Sequence, residues 1–313
     1  MQKVLNIVNH RDFVLILALV VGFALGEKTR PLAEISVYSL AFVMIFATTG
    51  FSFKSWVPVK NALKPFAFSA LLNYGLFSMS LIGLSWLFFR EDANYNYFIG
   101  FVLVAAAPPG PSIIPFSAML KGDNNFSVTG VFGLHLLAMI LTPAILLLFL
   151  GQALINPETI LRIMVQLIVF PLIISRFLRH PRTLPWVEQY RNFFIKWGFF
   201  LVIAPIVGMS APVFFTEPAS VLRISLVLLI TMFMMGFLYH VLMDKAGKNR
   251  GFIISSTLMM VIKSSAFAAV TAFTFFRGEA MVALPPAVVS VFVTFFIIFY
   301  SLFVRVYEKG LKA

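Results

Sequence analysis

Two short stretches hold the residues best placed to do chemistry. "TLMMVIKSSAFAAV", residues 257–270, sets Lys263 beside Ser264 and Ser265 in the middle of an otherwise apolar or small-residue segment. "AAAPPGPSIIPFS", residues 105–117, puts Pro108, Pro109, Pro111 and Pro115 around Gly110, with Ser112 next to them. An ammonium at such a position can serve as counter-charge, proton carrier or hydrogen-bond donor. The prolines remove amide donors and the glycine removes side-chain restraint, so no helix runs through the second stretch unbroken. Its freed carbonyls and N–H groups then need partners, which protein, water, an ion or a substrate can supply. We expect the backbone of Pro109, Gly110, Pro111 and Ser112 to line a binding site.

The elements that position these residues are membrane spans. Of the 313 residues 60% are hydrophobic and 12% charged, and apolar runs of spanning length recur along the chain. Several runs are apolar on every face, as lipid or a neighbouring helix requires. Hydropathy places ten spans near 13–26, 34–53, 65–89, 96–119, 126–150, 158–178, 192–215, 218–243, 251–276 and 284–305. The first is followed by no small-x-small cleavage pattern and reads as a retained span. The loops leave no room for a soluble domain, so residues 1–313 are expected to form one integral membrane unit.

Charge orients it. With the N-terminus inside, 17 of the 24 Lys and Arg fall on the cytoplasmic side and 6 on the other, the last being Lys263. Both termini are expected to be cytoplasmic, in a cell (inner) membrane. The net charge of +12 is thus a topology signal, and without a soluble basic face it does not imply a nucleic-acid partner. There is no cysteine, hence no disulfide, thiolate metal site or thiol nucleophile.

Ten spans divide into five and five, and an odd number per half makes the halves inverted, over 13–150 and 157–305. In each half the fourth span has the least lipid-like middle, and paired interruptions of this kind mark a transporter's binding site. Lys263 lies about twelve residues, roughly 18 Å, from either end of its span, too deep for its side chain to reach bulk water. All twelve acidic residues fall in loops or at span edges, so no carboxylate partner lies at that depth. An unpaired central lysine costs roughly 2.5–3.5 kcal/mol on insertion scales. A water-filled cavity, loss of the proton or a bound anion each relieves that cost. So does a purely structural arrangement, with Ser264, Ser265 and nearby carbonyls as partners.

"PPGPSIIPFSAMLKGDNNFSVTGVF" followed by "LTPAILL" resembles the fourth and fifth spans of the bile acid:sodium symporter superfamily, and "RGFIISSTLMMVIKSSAFAAVTA" with "ALPPAVVSVF" resembles its ninth and tenth. The resemblance implies an all-α membrane protein of ten transmembrane helices in two inverted five-helix repeats. Spans 3–5 and 8–10 would form a core in which broken helices 4 and 9 cross, and spans 1, 2, 6 and 7 a panel. The departures concern sodium. The family's Ser-Asn pair falls on Ile113 and Ile114, its Ser is kept as Ser127, and its Thr falls on Val131. Its ninth-span Glu falls on Met259 and its Gln on Lys263, while a third-span Gln corresponds to Asn73. Weak or absent sodium coupling is the expectation, with the ammonium of Lys263 standing where sodium would hold helix carbonyl ends. Arsenite export, a neighbouring activity that uses a membrane cysteine, is not expected.

The function expected is secondary active transport of a small organic anion by alternating access. Lys263 would be counter-charge, and Asn73, Ser127, Ser264 and Ser265 would complete the site. The coupling ion would be a proton or sodium, and no cofactor or resident metal is expected. A sodium-coupled symporter with backbone-dominated ion sites, a channel and a receptor are the alternatives. An intramembrane enzyme would need an acid, base or nucleophile at depth, where the chain offers only Lys263, His135 and hydroxyls. His135, on the fifth span, is either a proton carrier or a hydrogen-bonded structural residue.

Overall fold

The computed structural model describes residues 11–49, 59–91, 94–154, 156–276 and 279–310. Lys3, Lys54, Asp92, Arg277 and Lys312, and the end of the expected second span over 50–53, lie outside the described residues.

The described chain is helical, and its order follows from where prolines, glycines and polar residues interrupt the apolar runs. The helices α1 (Arg11–Leu25), α2 (Arg30–Glu34) and α3 (Ser36–Thr49) come first. The stretch expected as the third span is α4 (Val59–Ala70), a π-helical segment at Leu71–Ser78, and α5 (Met79–Phe89). Then come α6 (Tyr95–Ala106), α7 (Ile113–Met119) and α8 (Asn124–Leu154), which is kinked at Gly151 where φ is +74°. The helices α9 (Pro157–Met164) and α10 (Phe170–Leu178) flank a π-helical segment at Val165–Val169. After α11 (Leu184–Thr216), α12 (Pro218–Leu228) and α13 (Met235–Lys245) flank another at Leu229–Met234. The chain closes with α14 (Arg250–Val261), α15 (Ser265–Phe275) and α16 (Ala280–Gly310).

Among the described residues six helical stretches are long and apolar enough to cross a membrane: Ala62–Phe89, Asn124–Gln152, Pro157–Leu178, Leu184–Met209, Pro218–Lys245 and Ala280–Tyr307. A seventh results if Ile16–Leu32 and Ser36–Thr49, bent by 96°, count as one. The stretches expected as the fourth and ninth spans are each divided, into α6 and α7 and into α14 and α15. Several edges move from the hydropathy reading. The helix expected from 192 begins at Leu184, because "LPWVEQYRN" contains helix formers and the helix continues past its apolar part.

Single or paired prolines inside helices, Pro65, Pro143, Pro205, Pro212, Pro285 and Pro286, interrupt nothing. The cluster at 108–111 does. Ala107 precedes Pro108, and a residue before proline is pushed out of the helical region. It is extended, with φ −62° and ψ 149°, and α6 ends at Ala106. Pro115, counted above with the break, instead occupies the third position of α7, in the first turn where its missing N–H costs nothing.

The helices pack in two groups. In one, α11 lies along α1 and α3, and α10 also packs on α3. In the other, α6 is held among α5, α8, α15 and α16, while α14 packs on α8, α13 and the π-helical segment at Leu71–Ser78. The groups meet chiefly where α11 touches α16, with α15 touching both α11 and α3.

Candidate functional site

The two divided spans meet at their breaks. Pro109 and Lys263 form an antiparallel bridge. Gly110 N–H donates to the Ile262 carbonyl at 3.2 Å, and Ser264 N–H donates to the Pro108 carbonyl at 2.9 Å. Exchanging the two strands turns one bond into the other. Each break thereby satisfies backbone groups freed by its partner's, which hydrocarbon could not do. The approach is close: a Cβ on Gly110 would lie 3.1 Å from Ile262 Cγ2 and 3.4 Å from the Lys263 carbonyl oxygen.

The second break has a different local cause from the first. Ile262 and Ser264 are non-helical, with φ and ψ of −93° and 109° and of −79° and 86°. Ser264 then caps α15 by accepting from Phe267 N–H at 3.3 Å. Neither proline nor glycine takes part.

Lys263 is buried, and its ammonium donates to the Ala107 carbonyl at 2.9 Å. Its Nζ also lies 3.9 Å from the centroid of the Tyr74 ring, within reach of a cation–π interaction. Two further donors act beside it. Thr142 Oγ1 donates to the Ala106 carbonyl at 2.6 Å, and Ser78 Oγ shares its one proton between the Ala105 carbonyl at 2.8 Å and the Asn73 carbonyl at 2.9 Å. Three successive carbonyls at the end of α6 therefore each receive a side-chain donor, from α14–α15, α8 and the third span. The C-terminal end of a helix is its negative end, where a cation is favoured.

Beside the crossing is a cavity of about 50 Å³. Gly110, Pro111, Ser112, Lys263, Ser264 and Ser265 line it from the breaks, Ser290 and Thr294 from α16, and Phe199 and Ile203 from α11. Ser290 Oγ and Ser265 Oγ are hydrogen-bonded at 2.9 Å. With the start of α15 beside them, these groups offer hydroxyls and N–H donors to a small polar or anionic molecule.

Of the residues singled out from sequence, Gly110, Pro111, Ser112, Lys263, Ser264 and Ser265 meet at this cavity, and Pro109 pairs with Lys263 behind it. Asn73 lies on the other side, where its Nδ2 donates to the Met259 carbonyl at 2.8 Å. Its Oδ1, with Ser127 Oγ and Ser69 Oγ, is buried without a hydrogen-bond partner among the described residues. A methyl on Gly130 would fall 2.4 Å from Ser69 Oγ and 2.6 Å from Met259 Cε, so Ser69 and Met259 converge there. His135 is not at the cavity. Its Nδ1 bonds the Val131 carbonyl of its own helix at 2.7 Å, which favours the structural alternative. Sequence reasoning missed Tyr74, Ser78, Thr142 and Ser290, which carry no local signature. Their roles come from lying opposite a break.

The chain is an all-α multi-pass membrane protein in which two divided helices are joined beside a polar cavity. Residues 37–217 match the model of the Sodium Bile acid symporter family, and the chain belongs to that family. The match covers α6, its break and α7, while Lys263 lies beyond it. No curated protein matches the chain. Family membership makes the protein a bile acid:sodium symporter-like transporter, and the family's members are not enzymes.

Proposed function

We propose that the protein carries a small organic anion by alternating access, as a secondary transporter with weak or absent sodium coupling. One observation carries the reading: the cavity is walled by both packed groups, by α11 on one side and by the two breaks, α15 and α16 on the other. Movement of one group against the other would open such a cavity first to one side of the membrane and then to the other. The first group then acts as panel and the second as core. The two-fold exchange of bonds at the Pro109–Lys263 bridge and the π-helical segments in the third and eighth spans support two inverted five-helix repeats within ten spans. The charge distribution supports cytoplasmic termini in a cell (inner) membrane.

The anion would be met by Ser264, Ser265, Ser290 and the backbone around Gly110 to Ser112, with the charge of Lys263 beneath it. Few oxygen ligands remain for sodium, since Ile113, Ile114, Val131 and Met259 occupy positions where the family places ligating types. Purified protein in liposomes tests this with a panel of radiolabelled small carboxylates. The expected result is saturable uptake, stimulated by the same anion preloaded inside, and changed less than twofold when choline replaces sodium. Non-saturable flux without trans-stimulation would establish a channel. A tenfold gain from sodium, equivalent to about 1.4 kcal/mol, would establish the sodium-coupled alternative.

A further inference from the structure

A helix that ends inside a membrane leaves its last carbonyls without intrahelical partners, and its dipole makes that end negative. The end of α6 is met by donors from the protein itself. Ser78 and Thr142 supply neutral donors to Ala105 and Ala106, and Lys263 supplies a charged donor to Ala107. The lysine reaches that carbonyl from the opposite break, whose backbone is already tied to Pro108 and Gly110. The Tyr74 ring covers the ammonium at 3.9 Å. Every polar partner of Nζ is thus backbone or aromatic, and no carboxylate is bonded to it among the described residues. The position is filled by a nitrogen donor that the chain carries with it.

We propose that the ammonium of Lys263 is a built-in cation which closes the carbonyl end of α6 and joins the two breaks, so that the crossing assembles with no metal cation bound there. A crossing that needs no external cation to assemble is not driven by a cation gradient acting at this point. Only that consequence for coupling rests on the transport reading above. The cap itself is a property of the folded chain and is measured without any substrate.

The test is thermal unfolding of the purified full-length protein in detergent. Lys263→Met keeps the bulk and removes the donor and charge, and it should lower the melting temperature by about 4 °C or more. Lys263→Ala removes Cγ, Cδ, Cε and Nζ, the atoms of n-propylammonium. Adding n-propylammonium chloride should restore at least half of the loss in Lys263→Ala and leave the wild type unchanged. The uncharged analogue 1-propanol should not restore it. In the wild type, sodium chloride should shift melting no more than choline chloride at equal ionic strength.

Wild-type stability in both variants, or equal rescue by 1-propanol, overturns the proposal. So does a sodium-specific rise in the wild type, a measurement that stands even if neither variant can be purified. If the variants are recovered only in n-propylammonium, the proposal is supported. A stable, amine-rescued protein with no saturable anion uptake would leave the cap standing and refute the transport reading instead.

Discussion

Gly100 lies in α6, six residues before its end, and replacing it by alanine tests whether the crossing is held by rigid packing at a distance. A Cβ there would lie 2.5 Å from the Val282 carbonyl oxygen and 2.8 and 2.9 Å from Cγ and Cδ of Pro285, all on α16. A backbone oxygen and a proline ring cannot rotate away. The helices must part by about 0.9 Å for the closest pair to reach 3.4 Å, where ordinary contact begins. At 1.5 Å per residue the capped carbonyls are about 9 Å along the same helix, so a rigid shift would reach them. The bond from Lys263 to Ala107, now 2.9 Å, would be stretched beyond useful geometry. Overpacking costs about 1–3 kcal/mol, offset by about 0.5–1 kcal/mol from exchanging helical glycine for alanine.

The expectation for Gly100→Ala is a net loss near the middle of about 0–2.5 kcal/mol, seen as a lower melting temperature, together with loss of anion uptake. Gly83→Ala is the control. It sits exposed on α5 with no atom within 4 Å of its added Cβ, and it should be neutral or slightly stabilising. Combining Gly100→Ala with Thr142→Val should be non-additive by at least about 0.5 kcal/mol, because both act on the same helix end. Wild-type melting in Gly100→Ala, or strict additivity with Thr142→Val, would refute the reasoning.

Two further outcomes follow from the site. Ser265→Ala should weaken anion affinity about tenfold, near 1.4 kcal/mol, without moving the melting temperature; unchanged affinity in an equilibrium titration would remove Ser265 from the site. The double variant Met259→Glu, Lys263→Gln restores the residue types that the family resemblance assigns to a sodium site, beside Asn73, whose Nδ2 bonds the Met259 carbonyl and whose Oδ1 has no partner among the described residues. Sodium at a hundredfold excess over its Kd should stabilise that variant by about 2.7 kcal/mol relative to choline, and an absence of any sodium effect on its melting would refute the assignment.

Composition and apolar run length by themselves determine a multi-pass membrane protein, because a chain surrounded by hydrocarbon must satisfy its backbone within helices. The first break is equally local in origin. Pro108, Pro109 and Pro111 lack donors, and each restricts the residue before it, so α6 ends where the sequence says it must. The burial of Lys263 is also foreshadowed, since the residues around it are apolar or small. The second break is not legible in the same way. "VIKSS" contains no helix breaker, and its extended backbone is held by bonds to Pro108 and Gly110, more than 150 residues earlier. The answer to the buried ammonium is likewise tertiary: its acceptor is Ala107, 156 residues away. A carbonyl has no residue-type signature, so no inspection of side chains could find it. Ser290, Phe199 and Ile203 reach the cavity only through the packing of α16 and α11. Sequence settles where a helix can break and where a charge must lie, because those depend on local covalent chemistry and span length. Which break meets which, and what the charge touches, is decided when helices far apart in the chain satisfy each other's exposed backbone.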